Sequence, residues 1–415
     1  IDAATCNVDA INEVNNRLQP TLDDLLQTTF FRYFKVKLDR ECPFWDEHML
    51  CTQRDCSVEP APDGEIPKAL VNRLSAVDFS LSNQALRAPD ASCDDFGPHD
   101  YCLVESRGER EGVYVNLLKN VERYTGYQGP SAERVWNAIY DENCFHFLGT
   151  PETSPANPSL STLAGATSDL SSACLEKRVF YRLVSGMHAS ISTHLCHQML
   201  NTTSGEWYFD RACYASRVAD FPERVTNIRF TYLLLLRAVE KIAPMLTRGT
   251  FVTGDMDDKP QVERLMRAVL DTTRQCPATF DERLMFVADA RSGFQMAQAQ
   301  ATAAAAASTS AEEFKAHFRN ISQIMDCVGC EKCRLWGKLQ VMGLGTALKI
   351  LFEFQEEAPN GGGNAADPDA VPEHMALTRS EIVALFNTLG RFSSSLRVGH
   401  QYRQEMAKQA ACDVA

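Results

Sequence analysis

Apolar residues recur along most of this chain at the spacing of amphipathic α-helices. Residues 8–34 carry such a stripe, and residues 176–200 carry a second one. Residues 225–246 are apolar nearly all round, which indicates a helix buried on every side. We find no alternating pattern long enough to predict a sheet. The sequence therefore predicts a mainly α fold.

The helical runs are separated by stretches rich in Pro, Gly, Ser and Thr, of which residues 41–112 and 149–172 are the longest. Two capping-box signatures, Ser310–Glu313 and Thr378–Glu381, predict the starts of further helices. We expect one large helical domain over residues 1–415 with long loops between its helices.

The net charge limits the classes of molecule that this protein is expected to bind. The 415 residues include 41 Lys and Arg against 54 Asp and Glu, a net charge of −13. This acidity argues against nucleic acid as a partner and allows at most peripheral contact with an anionic membrane. We see no apolar run near the roughly 18 residues that a membrane span needs. Because the sequence begins at Ile1 without a signal-peptide region, we expect a mature segment.

Cysteine usage points to the secretory pathway. Fifteen cysteines are many for a reduced cytosolic enzyme, and the odd number leaves at least one without a partner in this sequence. Two glycosylation sequons, at Asn201 and Asn320, fit the same compartment. We therefore expect an oxidising environment and a glycoprotein.

The segment Cys327–Cys333 holds three cysteines at two-residue spacing directly before an amphipathic helical run. A cysteine pair at a helix start lies in the positive end of the helix dipole, which lowers a thiol pKa and favours thiolate chemistry. An iron–sulfur cluster would want Cys and Pro at positions 337 and 338, where Gly337 and Lys338 stand. A structural zinc site that also uses Cys42, Cys51 or Cys56 stays open.

Cys51 and Cys56 form a second close pair, in a loop. Alone this pair is typical of a local structural bridge, but two dithiols in one chain also suggest a relay by thiol–disulfide exchange. Such a relay needs a terminal electron acceptor that side chains do not supply, so a cofactor is implied.

Few residues present themselves as cofactor ligands. Gly343 and Gly345 lack the third glycine and the preceding strand of a dinucleotide fingerprint, so we reject a Rossmann site. Ser185 and His188 share a helix face. Arg237 lies in an apolar helix and should have an anionic partner, such as a carboxylate or a pyrophosphate.

Long segments resemble one family, the endoplasmic reticulum oxidoreductins, flavin-dependent thiol oxidases that re-oxidise protein disulfide isomerase. The similarity covers nearly the whole chain, and it is carried by FRYFKVKLDRECPFW (30–45), ERYTGYQGP (122–130), VWNAIYDENCF (135–145), EKRVFYRLVSGMHASI (176–191) and FRNISQIMDCVGCEKCRLWGKLQVMGLGTALKILF (318–352).

The resemblance implies roles for individual residues. Cys51 and Cys56 become the shuttle pair and Cys330 and Cys333 the inner pair, with Cys333 beside the flavin. The implied structural bridges are Cys42–Cys327 and Cys144–Cys174. The implied FAD contacts are Arg123, Thr125, Trp136, Ser185, His188, Arg224 and Arg237. No metal ligand is implied.

On this basis we expect a helix-bundle core that holds FAD in a non-Rossmann site, with long disulfide-tied loops. Residues 41–112 would form the shuttle-cysteine loop region, 113–352 the FAD-binding core and 353–415 the C-terminal helices. Electrons would pass from a protein disulfide isomerase-type thioredoxin-fold protein to the shuttle pair, the inner pair, FAD and dioxygen, giving hydrogen peroxide in the endoplasmic reticulum lumen.

The sequence also departs from the family. The inhibitory cysteines that follow the shuttle motif in animal members are missing, since Ala61 and the stretch before Leu74 hold none. Pairings of seven cysteines stay open: Cys6, Cys93, Cys102, Cys196, Cys213, Cys276 and Cys412. The rival hypothesis is a cysteine-stapled or zinc-binding secretory scaffold without enzymatic activity.

Overall fold

The fold is described from a computed structural model. It describes residues 8–40, 57–60, 101–105, 112–118, 124–142, 175–201, 203–247, 259–273, 316–328, 331–353 and 377–413. Within these ranges helices dominate. They are α1 (Val8–Leu26), α2 (Thr29–Arg32), α3 (Pro130–Glu142), α4 (Leu175–His197), α5 (Arg211–Tyr214), α6 (Pro222–Lys241), α7 (Ala243–Thr247), α8 (Lys259–Thr273), α9 (Glu331–Glu353) and α10 (Arg379–Asp413).

The core is a bundle in which both ends of the described chain meet. Helix α10 packs against α9, α6, α4 and α1, and α4 packs along α6. Side chains tie distant segments together: Asn15 Nδ2 donates to the Ser393 carbonyl at 3.0 Å, and Asn387 Nδ2 donates to the Phe31 carbonyl at 3.1 Å. The mainly α prediction with a single helical domain is confirmed.

Two features noted in the sequence, a capping box and a glycine, have clear roles at the start of a helix and at a contact between helices. The capping box that opens α10 is formed: the Glu381 amide donates to Thr378 Oγ1 at 3.2 Å, and the Thr378 amide donates to Glu381 Oε2 at 2.7 Å. Gly343 lies inside α9, where a Cβ atom would come within 2.6 Å of the Ala384 carbonyl oxygen of α10. That glycine therefore serves close helix packing, and the rejection of a dinucleotide fingerprint is confirmed.

The prediction of no sheet is wrong. An antiparallel sheet has the order β2-β1-β4-β3, built from β1 (Tyr33–Arg40), β2 (Ser57–Pro60), β3 (Tyr101–Glu105) and β4 (Gly112–Asn116). Residues 34–39 of β1 alternate apolar and polar positions, as Phe-Lys-Val-Lys-Leu-Asp, so the strand signal is present in the sequence and was overlooked. Its first aromatic residues also extend the helical stripe of α1, and strands interrupt the predicted loop 41–112.

The sheet fixes the end of the shuttle-cysteine segment. Arg40 of β1 pairs with Ser57 of β2, and β2 begins directly after Cys56. Strand β2 in turn contacts helix α9, whose first turn carries Cys333. The strand that follows the predicted shuttle pair is thereby packed against the helix that carries Cys333.

Candidate functional site

Cys333 lies in the first turn of α9 and is fully buried. Its sulfur takes part in a disulfide and accepts a hydrogen bond from the Gly126 amide at 3.3 Å. Both the helix terminus and this N–H donor favour negative charge on the sulfur. The site therefore favours Cys333 as a thiolate or leaving group once the disulfide is reduced.

The Gly126 amide belongs to a 3-10 turn, Tyr124–Tyr127, that contacts both α4 and α9. Gly337 lies one helical turn after Cys333, and a Cβ there would sit 3.2 Å from Tyr127 Cζ. The absence of a side chain at Gly337 lets the turn approach α9 closely. This contact places the backbone of Thr125 next to the inner-pair helix.

An aromatic stack adjoins the turn. Trp136 of α3 and His188 of α4 have ring centroids 4.0 Å apart and planes inclined by 15°. Tyr127 lies 6.0 Å from Trp136, and Tyr140 Oη lies 3.1 Å from His188 Nδ1. All four side chains are buried, so the stack forms a flat apolar wall with a polar edge.

Ser185 joins α4 to α6 beside this stack. Asn227 Nδ2 donates to Ser185 Oγ at 3.0 Å, and Arg182 Nε donates to Asn227 Oδ1, also at 3.0 Å. The two helices touch at Gly186, where a Cβ atom would come within 2.7 Å of the Asn227 carbonyl oxygen. The close approach brings the ligand candidates of α4 next to the first turns of α6.

Arg224 lies in the first turn of α6 and is 7% exposed. Its Nη1 donates to the Arg217 carbonyl, and its guanidinium lies 4.3 Å from the centre of the Phe221 ring. Arg217 belongs to a π-helical turn, Ala215–Ala219, just before α6. The Arg224 guanidinium is thus held by the backbone of this turn, one helical turn before Asn227.

Burial governs the ionisation of the neighbouring groups, and the positive charge adds to its effect at His188. Burial, followed by the nearby Arg224 and Arg217, lowers the pKa of His188 well below 6.5 and keeps the ring neutral. Burial raises the pKa of Tyr140 and of Tyr181, so both hydroxyl groups stay protonated. Burial also raises the pKa of Glu223, which hydrogen-bonds Tyr181 and Asn227.

Arg237 is further along α6. Thirteen residues separate it from Arg224, which corresponds to about 20 Å of rise and about 220° of rotation. The structure gives Arg237 a carboxylate partner three residues on, with Nη1 3.2 Å from Glu240 Oε2. The expected anionic partner is therefore present within the helix itself.

The structure thus brings together the 3-10 turn with Thr125, Trp136, Ser185, His188, Arg224 and Cys333. Several predicted residues lie outside the described part of the chain: Cys42, Cys51, Cys56, Arg123, Cys144, Cys174 and Cys330. Their roles, and the bridges Cys42–Cys327 and Cys144–Cys174, stay predictions.

The segment before the inner pair is held by a buried ion pair. Lys338 Nζ lies 2.6 Å from Asp326 Oδ1, and both side chains are almost completely buried. Arg334 donates to the Asp326 carbonyl at 3.5 Å. Asp326 directly precedes Cys327, so the ion pair fixes the approach to the inner pair against α9.

The comparison with known proteins decides the family. The family model described as Endoplasmic Reticulum Oxidoreductin 1 (ERO1) matches residues 17–398. The chain belongs to the endoplasmic reticulum oxidoreductin family. As an endoplasmic reticulum oxidoreductin it is a thiol oxidoreductase of that organelle, and it acts as a thiol oxidase in oxidative protein folding.

Comparisons of this oxidoreductin with individual relatives agree with the family assignment. It is 38% identical over 453 residues to ERO1-like protein alpha of Bos taurus, covering 97% of this chain and 90% of the relative. It is 36% identical to Endoplasmic reticulum oxidoreductin-1 of Neurospora crassa, covering 97% and 67%. A solved structure of a double cysteine-to-alanine mutant of S. cerevisiae Ero1p superposes with a TM-score of 0.63 at 28% identity, covering 97% and 99%.

Sequence reasoning missed several residues of the oxidoreductin's site: Arg217, Tyr140, Asn227 and Gly126. None lies on a periodic stripe that marks a ligand, and each acquires its place through contacts between separate elements. It also left open the pairing of Cys196 with Cys213, which the structure joins as a disulfide. In the described ranges no helix combines the length and apolarity needed to cross a membrane.

Proposed function

We propose that this oxidoreductin makes disulfides de novo with FAD as cofactor and dioxygen as electron acceptor. The observation that supports the proposal most is the position of Cys333. Its sulfur accepts a hydrogen bond from a turn that packs on the helix of Ser185 and His188. A redox-active sulfur and a preformed aromatic and cationic site are therefore joined through one 3-10 turn.

The described residues fit a flavin dinucleotide. The Trp136–His188 stack offers a flat apolar wall for a ring system, and the cations beside it suit phosphate groups. FAD would be held by Arg123, Thr125, Trp136, Ser185, His188, Arg224 and Arg237. When bound, the flavin supplies a two-electron acceptor that is re-oxidised by dioxygen, giving hydrogen peroxide.

The remaining steps belong to the protein's own thiols. A reduced substrate dithiol attacks the Cys51–Cys56 disulfide and leaves as a disulfide, giving up two electrons and two protons. The reduced shuttle pair then attacks the Cys330–Cys333 disulfide and reduces it. The Gly126 N–H stabilises negative charge on the Cys333 sulfur as it is released as a thiolate.

Delivery between the two pairs needs the shuttle segment near α9. Strand β2 begins directly after Cys56 and contacts α9, so the end of that segment is held close to the inner-pair helix. A short tether of this kind raises the effective concentration of one dithiol at the other.

We further propose that the protein substrate is a protein disulfide isomerase-type thioredoxin-fold protein in the endoplasmic reticulum lumen. A hairpin of β5 (Met199–Leu200) and β6 (Trp207–Tyr208) presents two aromatic side chains that are 43% and 46% exposed. Gln128, close to the Gly126 turn, reaches Met199 of this hairpin at 3.8 Å. Exposed aromatic residues next to a reactive centre are typical of a protein-docking surface.

The decisive experiment combines a spectrum with a turnover measurement. The purified protein should show the visible absorption of an oxidised flavin and consume dioxygen when given a small dithiol, with hydrogen peroxide as product. A colourless protein with stoichiometric zinc and no oxygen consumption would refute the oxidase and support the scaffold.

A further inference from the structure

Two arginines, Arg217 and Arg224, lie close together where the π-helical turn meets α6. Arg224 is almost fully buried and donates through Nη1 to the backbone carbonyl of Arg217. Arg217 is itself half-buried. The buried guanidinium of Arg224 is therefore held against the backbone of a second, half-buried arginine.

The described part of the chain supplies these two arginines with no ion pair. Other buried cations have a carboxylate in contact: Lys338 lies 2.6 Å from Asp326, and Arg237 lies 3.2 Å from Glu240. For Arg217 and Arg224 no described carboxylate comes within the same range. Burial lowers the pKa of both arginines, and at Arg224 the charge of Arg217 acts in the same direction, while Tyr140, Tyr181 and Glu223 oppose it. Like charges kept together in this way need an anion.

The backbone supports the same conclusion. π-Helical turns are rare and frequently mark functional sites. Here the Asp220 amide bonds the Ala215 carbonyl at 3.0 Å and the Phe221 amide bonds the Val218 carbonyl at 3.1 Å. Pro222 has no N–H to offer, so the Arg217 carbonyl is available to hold the Arg224 side chain.

The two cations also face the candidate site. Both act on His188, which stacks on Trp136. We propose that Arg217 is a further cofactor-binding residue, which together with Arg224 binds the phosphates of FAD. The inference rests on the proposed function, because it names how this chain would hold that cofactor. Two planar guanidinium groups match the charge and geometry of a diphosphate.

The test compares ligands with and without phosphate. Apoprotein is prepared from the parent, Arg217→Gln, Arg217→Ala and the matched control Arg211→Ala, whose exposed guanidinium pairs with Glu405 at 2.9 Å. Dissociation constants for FAD and for riboflavin are measured by flavin fluorescence, and unfolding midpoints are measured with and without FAD.

We expect both Arg217 variants to bind FAD about tenfold or more weakly, with riboflavin binding unchanged within about twofold. Their apoproteins should unfold at the parental temperature or above it, since one of two like charges has been removed. Arg211→Ala should match the parent in every measurement.

Parental FAD affinity in both variants would overturn the inference while leaving the proposed function intact. Equal weakening of FAD and riboflavin would also overturn it, because Arg217 would then act only on the shape of the site. If the parent binds neither flavin, the proposed function fails, and this inference fails with it.

Discussion

Helix α4 buries two histidines six residues apart, and their surroundings differ in how charge is balanced. His194 Nε2 lies 3.0 Å from the Arg391 carbonyl and 3.2 Å from Ser395 Oγ, which in turn lies 2.8 Å from Ser190 Oγ. This region is a closed set of neutral hydrogen bonds between α4 and α10. It is typical of a satisfied core.

His188 is equally buried, but its neighbours include the guanidinium groups of Arg224 and Arg217. Its ring faces Trp136 and a tyrosine hydroxyl. Burial and a lowered histidine pKa are common to both regions, so neither feature marks function. Arg391 and Arg397 act on His194 as well, but both also interact with the carboxylate of Asp23. Among the described residues no carboxylate forms an ion pair with Arg217 or Arg224 beside His188.

The largest expected effect comes from breaking the redox chemistry beside the His188 region. Replacing Cys330 and Cys333 by Ala should lower dioxygen consumption by about three orders of magnitude or more with every reductant, because in the proposed relay only this pair passes electrons to the flavin. Replacing Cys51 and Cys56 by Ala should abolish turnover with reduced isomerase but retain substantial turnover with a small dithiol at high concentration. Oxygen-electrode rates with both reductants check these outcomes.

The matched control is the disulfide Cys196–Cys213 beyond the His194 end of α4. Its double Ala variant should keep the parental rate per bound flavin while losing about 2–4 kcal/mol of unfolding free energy. Parental isomerase oxidation by the Cys51/Cys56 variant would refute the two-dithiol relay.

The second prediction compares the replacement of each of the two histidines by Ala. His194→Ala should reduce the free energy of unfolding by about 2–4 kcal/mol with flavin content unchanged, since it leaves a cavity and a carbonyl without its donor. His188→Ala should lower flavin content with a much smaller loss of stability. Urea titrations and flavin-to-protein absorbance ratios measure both, and the reverse pattern would contradict the division of α4.

How far the sequence predicts these two regions depends on the kind of interaction. The helices follow from apolar periodicity, and the Thr378–Glu381 capping box marks the start of α10 because capping is local. The shared helix face of Ser185 and His188 is visible in the sequence, but their proposed role as FAD contacts comes from the family resemblance. Cys333 is recognisable because cysteine spacing and a helix start are both visible in sequence.

What sequence reasoning missed in the site is non-local. Arg217 gains meaning from a π-helical turn and from Arg224, and no spacing rule predicts either. Strand β1 was missed although residues 34–39 alternate apolar and polar positions, because its first aromatic residues also continue the helical stripe of α1. The helix signals are thus sufficient to predict the bundle from the sequence. The balance of charge in the site can be recognised only from the tertiary structure.

The third prediction concerns the close approach that brings Arg224 to the stack. Gly186→Ala should destabilise the protein by about 1–3 kcal/mol and weaken flavin binding, because the added methyl group meets Thr231 and the Asn227 carbonyl. Gly345→Ala is the control, since its Cβ atom would find only Phe318 at 3.9 Å. The control should be neutral or stabilising by up to about 1 kcal/mol in thermal unfolding. Equal effects of the two substitutions would show that α4 and α6 can separate without cost.

The smallest expected effect is the pH dependence that His194 contributes. Burial lowers its pKa to about 3, whereas the same side chain in the unfolded chain has a pKa near 6.5. Below pH 6.5 the unfolded chain therefore binds a proton at His194 that the folded protein does not bind. The contribution of His194 to the free energy of unfolding is complete above pH 6.5 and is lost progressively towards pH 3. The slope is at most about 1.4 kcal/mol per pH unit.

His194→Gln keeps a donor for the Arg391 carbonyl but removes the titration. Between pH 7.5 and 5.5 the parent should therefore lose about 1 kcal/mol more unfolding free energy than the variant, as measured by urea titration at each pH. His188 contributes in the same direction in both proteins and cancels in the difference. Identical pH profiles would mean that His194 takes up its proton in the folded protein as readily as in the unfolded chain, and the buried, neutral ring described for its region would then be wrong.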